Sequence, residues 1–276
     1  MKIDAHQHFW HYSAEEYGWI GEHMAALKRD FLPDDLAREQ APLGFDGSIA
    51  VQARQTPEET AWLLELADAH PRIRGVVGWV DLRSPKLPAQ LERFAPHPRL
   101  CGVRHVLEDE PDDRFVLRED FLRGIGQLAR WALAYDILLY PRQLPAAREM
   151  VARFPEQRFI LDHIAKPFIA RRELERWASD IRRLAAFPNV ACKLSGMVTE
   201  AVWDAWEPAD FAPYLDVVAD AFGPERLMIG SDWPVCTVAG GYAEVMGIVL
   251  GYIARLSPDE QRRITGENAR QWYDLE

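Results

Sequence analysis

The chain has 276 residues, a net charge of −11, and 48% hydrophobic residues, the balance of a globular protein with a large core. Its basic residues are interspersed among acidic ones, which excludes the concentrated positive surface that nucleic acid requires. No apolar run approaches the roughly 18 residues of a membrane span, no signal-peptide anatomy precedes the first strand-like stretch, and Cys101, Cys192 and Cys236 have neither disulfide-framework nor CxxC spacing. The expectation is a cytoplasmic protein with no membrane or nucleic-acid partner; self-association stays open.

Short apolar, β-branched runs alternate with longer stretches of helical period, the mark of parallel strands joined by crossover helices. A first strand is expected over Lys2–Phe9. The connection after it, Trp10 to Asp30, carries Trp10, Tyr12, Tyr17 and Trp19 with two further histidines. It is too apolar to float free and is expected to fold over the mouth of a barrel. Further strands follow at Gly47–Ala53, Arg74–Asp81, Cys101–Leu107, Ile137–Pro141, Arg158–Ile164, Val190–Ser195 and Leu227–Ser231. Helices are expected at Thr60–His70, introduced by Thr56-Pro57-Glu58-Glu59, then at Phe115–Tyr135, Leu144–Arg153, Arg172–Phe187, Glu207–Phe222, Tyr242–Leu256 and Asp259–Tyr273. Eight strands close a (β/α)8 TIM barrel, here distorted by the long loop after strand 1, and such barrels run to about 250 residues as one domain. Residues 1–276 are therefore read as one barrel domain. An open doubly wound sheet that bound a dinucleotide would show a glycine-rich turn after the first strand, and none is present.

Chemistry in such a barrel comes from the carboxyl ends of its strands. His6 and His8 are two apart, so on a strand both point to one side, where two imidazoles can bind a divalent metal or a substrate oxygen. Alone, this HxH could equally be a structural pair. The sixth strand, however, ends in Asp162-His163, the eighth in Ser231-Asp232-Trp233-Pro234, the fourth carries Arg104, His105 and Glu108, and the seventh carries Lys193 and Ser195. Packing alone would put apolar residues there. Asp232 is the strongest acid/base candidate, because an unperturbed aspartate with a pKa of about 3.9 is ionised at neutral pH; metal ligation and helix capping are its other roles. Asp162 is read as orienting His163 or capping a helix. Arg104, Glu108 and Lys193 are open to both substrate contact and structural ion pairing. Trp10, Trp79, Trp203 and Trp233 lie near strand ends, where an aromatic face suits the apolar side of a sugar ring; Trp10 and Trp233, beside the two best motifs, are placed in the pocket. No GxSxG, phosphate-binding or HExxH signature is present.

These motifs resemble the amidohydrolase superfamily, within it the branch of metal-dependent barrel hydrolases that holds the L-fuconolactonases and L-rhamnonolactonases. The resemblance rests on Ile3-Asp4-Ala5-His6-Gln7-His8-Phe9-Trp10, Gly78-Trp79-Val80-Asp81, Gly102-Val103-Arg104-His105, Asp162-His163, Lys193-Leu194-Ser195-Gly196 and Gly230-Ser231-Asp232-Trp233-Pro234-Val235-Cys236, and runs from end to end. It implies hydrolysis of an aldonolactone such as L-fuconolactone, with His6, His8 and His163 around the scissile carbonyl and Asp232 as general base. It also implies a tentative metal set of His6, His8 and Asp232, holding one zinc ion, beside metal-free relatives. The substrate-binding candidates are Trp10, Arg54, Trp79, Arg104, His105, Tyr140, Lys193 and Trp233. At the fifth strand, where many members place a metal-binding side chain, Ile137-Leu138-Leu139-Tyr140 offers only Tyr140, so a two-metal site is not expected. Two alternatives stand beside the lactonase. One is a decarboxylase of the same branch, using Arg54, Arg104 and Lys193 for a carboxylate substrate; the other is a non-catalytic sugar-binding barrel.

Overall fold

The computed structural model covers residues 1–276 and forms one sheet of eight parallel strands in sequential order. These are β1 (Ile3–Gln7), β2 (Gly47–Val51), β3 (Ile73–Gly78), β4 (Leu100–Val106), β5 (Ala134–Leu138), β6 (Phe159–Leu161), β7 (Val190–Leu194) and β8 (Leu227–Ile229). The principal helices are α1 (Pro33–Gln40), α2 (Pro57–Ala69), α3 (Leu87–Phe94), α4 (Glu119–Ile125), α5 (Leu144–Arg153), α6 (Glu175–Ala185), α7 (Pro208–Phe222) and α8 (Tyr242–Ile253). The strands are buried on both faces, which is why they read as continuous apolar runs. Helix α2 starts as its sequence predicts: Thr56 Oγ1 accepts from Glu59 N at 3.2 Å, with Pro57 in the first turn.

The ring closes irregularly. Instead of a β1–β8 ladder, His6 O accepts from Asp232 N at 2.8 Å and Trp233 O accepts from His8 N at 2.7 Å. Buried Asp4 ties the same seam. Its Oδ1 accepts from the backbone of His6 (3.2 Å) and Ser231 (2.9 Å), and its Oδ2 from the hydroxyls of Ser231 (2.6 Å) and Tyr242 (3.2 Å). In β1 the step from Asp4 to Gln7 faces only the step from Ser48 to Ala50 in β2, one extra residue, as in a β-bulge. Ile3 and Ala5 pack into the cluster that fills the lower barrel with Ile49, Met228 and Tyr273, and the bulge turns His6 and His8 into the same interior above it.

Three expectations change. The apolar pattern of 115–135 is not one helix: short 3-10 turns flank α4, and β5 starts at Ala134, three residues before the expected Ile137. Helix α4 lies so close to the loop after β3 that a Cβ on Gly124 would meet Leu82 O at 2.1 Å. The final expected helix, Asp259–Tyr273, is split into Pro258–Arg262 and Asn268–Trp272 by a wide turn at Arg263–Glu267, where a Cβ on Gly266 would meet Met1 O at 2.0 Å. Helices α1 and α3 were not anticipated; both are short, with eight residues each. The long first connection does cover the barrel mouth, Glu15, Glu16, Gly18, Trp19 and Met24 lining the cavity there.

Candidate active site

A cavity of about 800 Å³ opens at the carboxyl ends of the strands. At its base four side chains from three strand ends converge: His8, His163 and Asp232 line the cavity, and His6 lies fully buried behind them. His6 Nε2 lies 3.2 Å from His8 Nε2. Asp232 Oδ1 stands 3.3 Å from His8 Nε2, 3.7 Å from His6 Nε2 and 3.9 Å from His163 Nε2. All four residues are buried. His8 Nδ1 is 2.8 Å from Val51 O; a carbonyl only accepts, so that nitrogen carries the proton and Nε2 presents its lone pair. His163 Nδ1 pairs with Ser195 Oγ at 2.9 Å, turning Nε2 toward Asp232. Gly196 is needed for this approach, since a Cβ there would meet His163 Nδ1 at 2.3 Å.

Burial by itself would raise the Asp232 carboxyl, but His163, His8 and His6 around it hold it well below the usual range. Burial lowers His163 to about 4 against the pull of Asp232 and Asp162. At neutral pH the pair is therefore a carboxylate beside a neutral imidazole, the state a general base needs.

Beneath the imidazoles lies a buried array of charges. Lys193 Nζ contacts Asp136 Oδ2 at 2.5 Å, Asp162 Oδ1 at 2.9 Å and His6 Nδ1 at 3.2 Å. Desolvation works against its charge, and Asp136 and Asp162 more than restore it, so the ammonium is kept. Arg104 gives Nη1 to Asp162 Oδ2 at 3.0 Å and Nη2 to Gln52 O at 2.6 Å and Gln52 Oε1 at 2.7 Å; Nη1 also lies 3.3 Å from His6 Nε2. Asp136 completes the array by accepting from Tyr273 OH at 2.7 Å.

Several site expectations need correction. Lys193 is fully buried and touches His6, not the cavity. Asp162 orients His6 rather than His163, at 3.3 Å from its Nδ1. His105 cannot share a face with Arg104, because neighbours on a strand point opposite ways; it stacks on Phe115 at 5.1 Å and meets Glu110 at 2.7 Å. Trp233, next to Asp232, likewise turns outward against Phe9 and Phe31. Trp10 leaves the barrel to pair with Phe31, its Nε1 donating to Arg29 O at 2.9 Å. Trp79 does not line the cavity either; its backbone is held by Thr60 Oγ1. Arg54, Arg104, Tyr140 and Trp203 do line it, with Arg54 ion-paired to Glu16 of the covering loop. Asp136, Gln52, Lys166 and Glu200 were missed. Asp136 sits at the centre of β5, one residue before the Ile137–Tyr140 segment in which a fifth-strand ligand was sought.

The residues present suit one divalent cation. His6, His8 and Asp232 offer two imidazole nitrogens and a carboxylate oxygen within reach of one point, the two-histidine, one-carboxylate set of open catalytic sites. A second group, His6, Asp162 and His163, has the Lys193 ammonium already on Asp162 Oδ1 and against His6 Nδ1. A fixed positive charge fills that position.

An eight-stranded barrel with histidines on its first strand and an aspartate after its last defines the amidohydrolase class. The sequence pattern of that family matches residues 3–275, and the chain belongs to it. Among characterised relatives, the L-fucono-1,5-lactonase of Burkholderia multivorans is 45% identical across 100% of this chain and 96% of its own length. That of Burkholderia ambifaria is 38% identical over the same shares. A crystal structure of a B. multivorans amidohydrolase with bound zinc superposes with a TM-score of 0.97 at 44% identity, covering 100% of both chains.

Proposed function

We propose that this protein hydrolyses a sugar-derived lactone, a neutral polyhydroxylated ring of the L-fucono-1,5-lactone type, with Asp232 as general base. The observation that carries the reading is the Asp232 side chain, its Oδ1 within 3.3–3.9 Å of three imidazole nitrogens at the base of the cavity. Asp232 takes a proton as water oxygen bonds to the lactone carbonyl carbon. In this reading His163 takes the tautomer in which Ser195 donates to its Nδ1, so that Nε2–H faces the reacting carbonyl and steadies the developing oxyanion, a contribution of about 3 kcal/mol for such a donor. The carbon–ring-oxygen bond then breaks, Asp232 returns its proton to the departing oxygen, and the hydroxy acid is released. Lys193, Asp162 and Arg104 fix the His6 ring throughout. A divalent ion, zinc in this reading, held by His6, His8 and Asp232, supplies Lewis-acid stabilisation of the same negative charge when bound.

The decarboxylase alternative needs an unpaired cation for a carboxylate substrate. Arg54, Arg104, Lys166 and Lys193 each face a carboxylate partner, which favours a neutral substrate. Asp232→Asn keeps the shape but removes the base; proton release from L-fucono-1,5-lactone is expected to fall by about 10²–10⁴ while the unfolding midpoint holds. A folded Asp232→Asn protein with undiminished turnover refutes the mechanism.

A further inference from the structure

On the wall of the same cavity stand three charged side chains that the proposed chemistry does not use. Lys166 Nζ meets Glu108 Oε2 at 2.6 Å and lies 3.7 Å from Glu200 Oε1, and its ammonium sits 5.0 Å from the centre of the Tyr140 ring. Each of the three side chains is 13–15% exposed, and all three line the cavity. Their hydrogen bonding is incomplete. The ammonium has three donors and makes one hydrogen bond within the protein; Glu200 makes none. Charged groups this desolvated are costly unless paired, and here the unused capacity opens on the cavity. Burial raises Glu200 to about 7 against the pull of Lys166, so near neutral pH it can both donate and accept.

The backbone that presents Lys166 is itself strained. After β6 the chain takes φ values of +52°, +47°, +61° and +47° at His163, Ile164, Ala165 and Lys166. None is glycine, and Ile164 is β-branched, so each is held in this region against steric strain. The turn sets His163 at one end and Lys166 at the other, both on the cavity. Hydroxyl groups match what this wall offers. A carboxylate accepts from O–H groups, an ammonium donates to a hydroxyl oxygen, and the paired charges leave no net cation to hold an anion. Trp203 on the same wall, stacked on His23 at 5.7 Å, supplies a face for the apolar side of a ring.

We infer that Lys166, Glu108 and Glu200 bind the ring hydroxyls of the substrate and set the preference for polyhydroxylated over plain lactones. This rests on the lactonase reading and adds the specificity determinants to it. The test uses Glu200→Gln and Glu108→Gln, near-isosteric changes, in the full-length protein. The ratio of kcat/KM for L-fucono-1,5-lactone to that for δ-valerolactone, which has no ring hydroxyls, is expected to fall about ten-fold or more, the loss residing in KM for the polyhydroxylated substrate. An unchanged ratio, whether both activities fall together or neither falls, overturns the inference. A wild-type protein that opens no lactone refutes the lactonase reading alone. Calorimetric binding of L-fucose, which cannot be hydrolysed, then decides about the wall. Binding weakened about ten-fold in Glu200→Gln upholds it, and equal binding by variant and wild type, or none by either, overturns it.

Discussion

Replacing Lys193 with methionine tests the charge array beneath the imidazoles. The side chain is fully buried, and its ammonium is the sole cation within reach of Asp136, while Asp162 also has Arg104 at 3.0 Å. Methionine keeps much of the volume, so the change removes charge rather than packing. Breaking a buried ion pair from one side typically costs about 3–5 kcal/mol, because the remaining charge has no partner. Lys193→Met leaves Asp136 with only the Tyr273 hydroxyl, and the expected loss sits in that range by urea denaturation. Adding Asp136→Asn removes the stranded charge and is expected to restore about half or more of it, a coupling of about 1–3 kcal/mol in a double-mutant cycle. Turnover responds differently: His6 keeps Asp162 but loses the Lys193 ammonium beside its Nδ1 in both variants, so activity is expected to stay low in the double variant although stability returns. A loss below about 1 kcal/mol for Lys193→Met, or additive effects of the two changes, refutes the assignment of Lys193 as the charge that balances Asp136.

His163, lowered to about 4 by burial, titrates nearer 6.5 when unfolded. Between those values the unfolded chain binds more protons, so stability is full above about pH 6.5 and falls as pH drops toward 4; His163→Asn is expected to flatten that slope in denaturation curves taken across pH 4–7. Activity is expected to show an acid limb near pH 4, where the His163 imidazole gains its proton while Asp232 stays ionised, and a rate profile level down to pH 3 contradicts the site. Zinc titrated into chelator-treated protein is expected to saturate at one ion per chain and to bind more weakly in His8→Asn; two ions per chain at saturation contradict the view that Lys193 fills the second position.

Much of this was legible in the sequence because barrel chemistry collects at strand ends. His6, His8, His163 and Asp232 stand out as polar residues where packing wants apolar ones. The errors have two physical sources. Adjacency was mistaken for co-orientation: His105 and Trp233 are next to Arg104 and Asp232, and strand geometry sends such neighbours to opposite faces. Periodicity also misled. The apolar spacing of 115–135 suits a helix, hid the start of β5 and thereby concealed Asp136. The array of Asp136, Lys193, Asp162 and Arg104 could not have been read at all, since it depends on the register of β4 through β7, which no single segment encodes. Lys166 and Glu200 fall in irregular turns that periodicity does not describe.

The seam between β1 and the segment after β8 joins Asp4 to Ser231, 227 residues apart in sequence. The candidate base and the histidine pair are thus brought together by contacts that span most of the chain, the kind that form late because their loop-closure entropy is large. A nascent or partly unfolded chain can carry seven paired strands and still lack the reacting constellation. Catalytic competence and completion of the ring are one event, so loosening of this single joint silences the enzyme while most of its secondary structure persists.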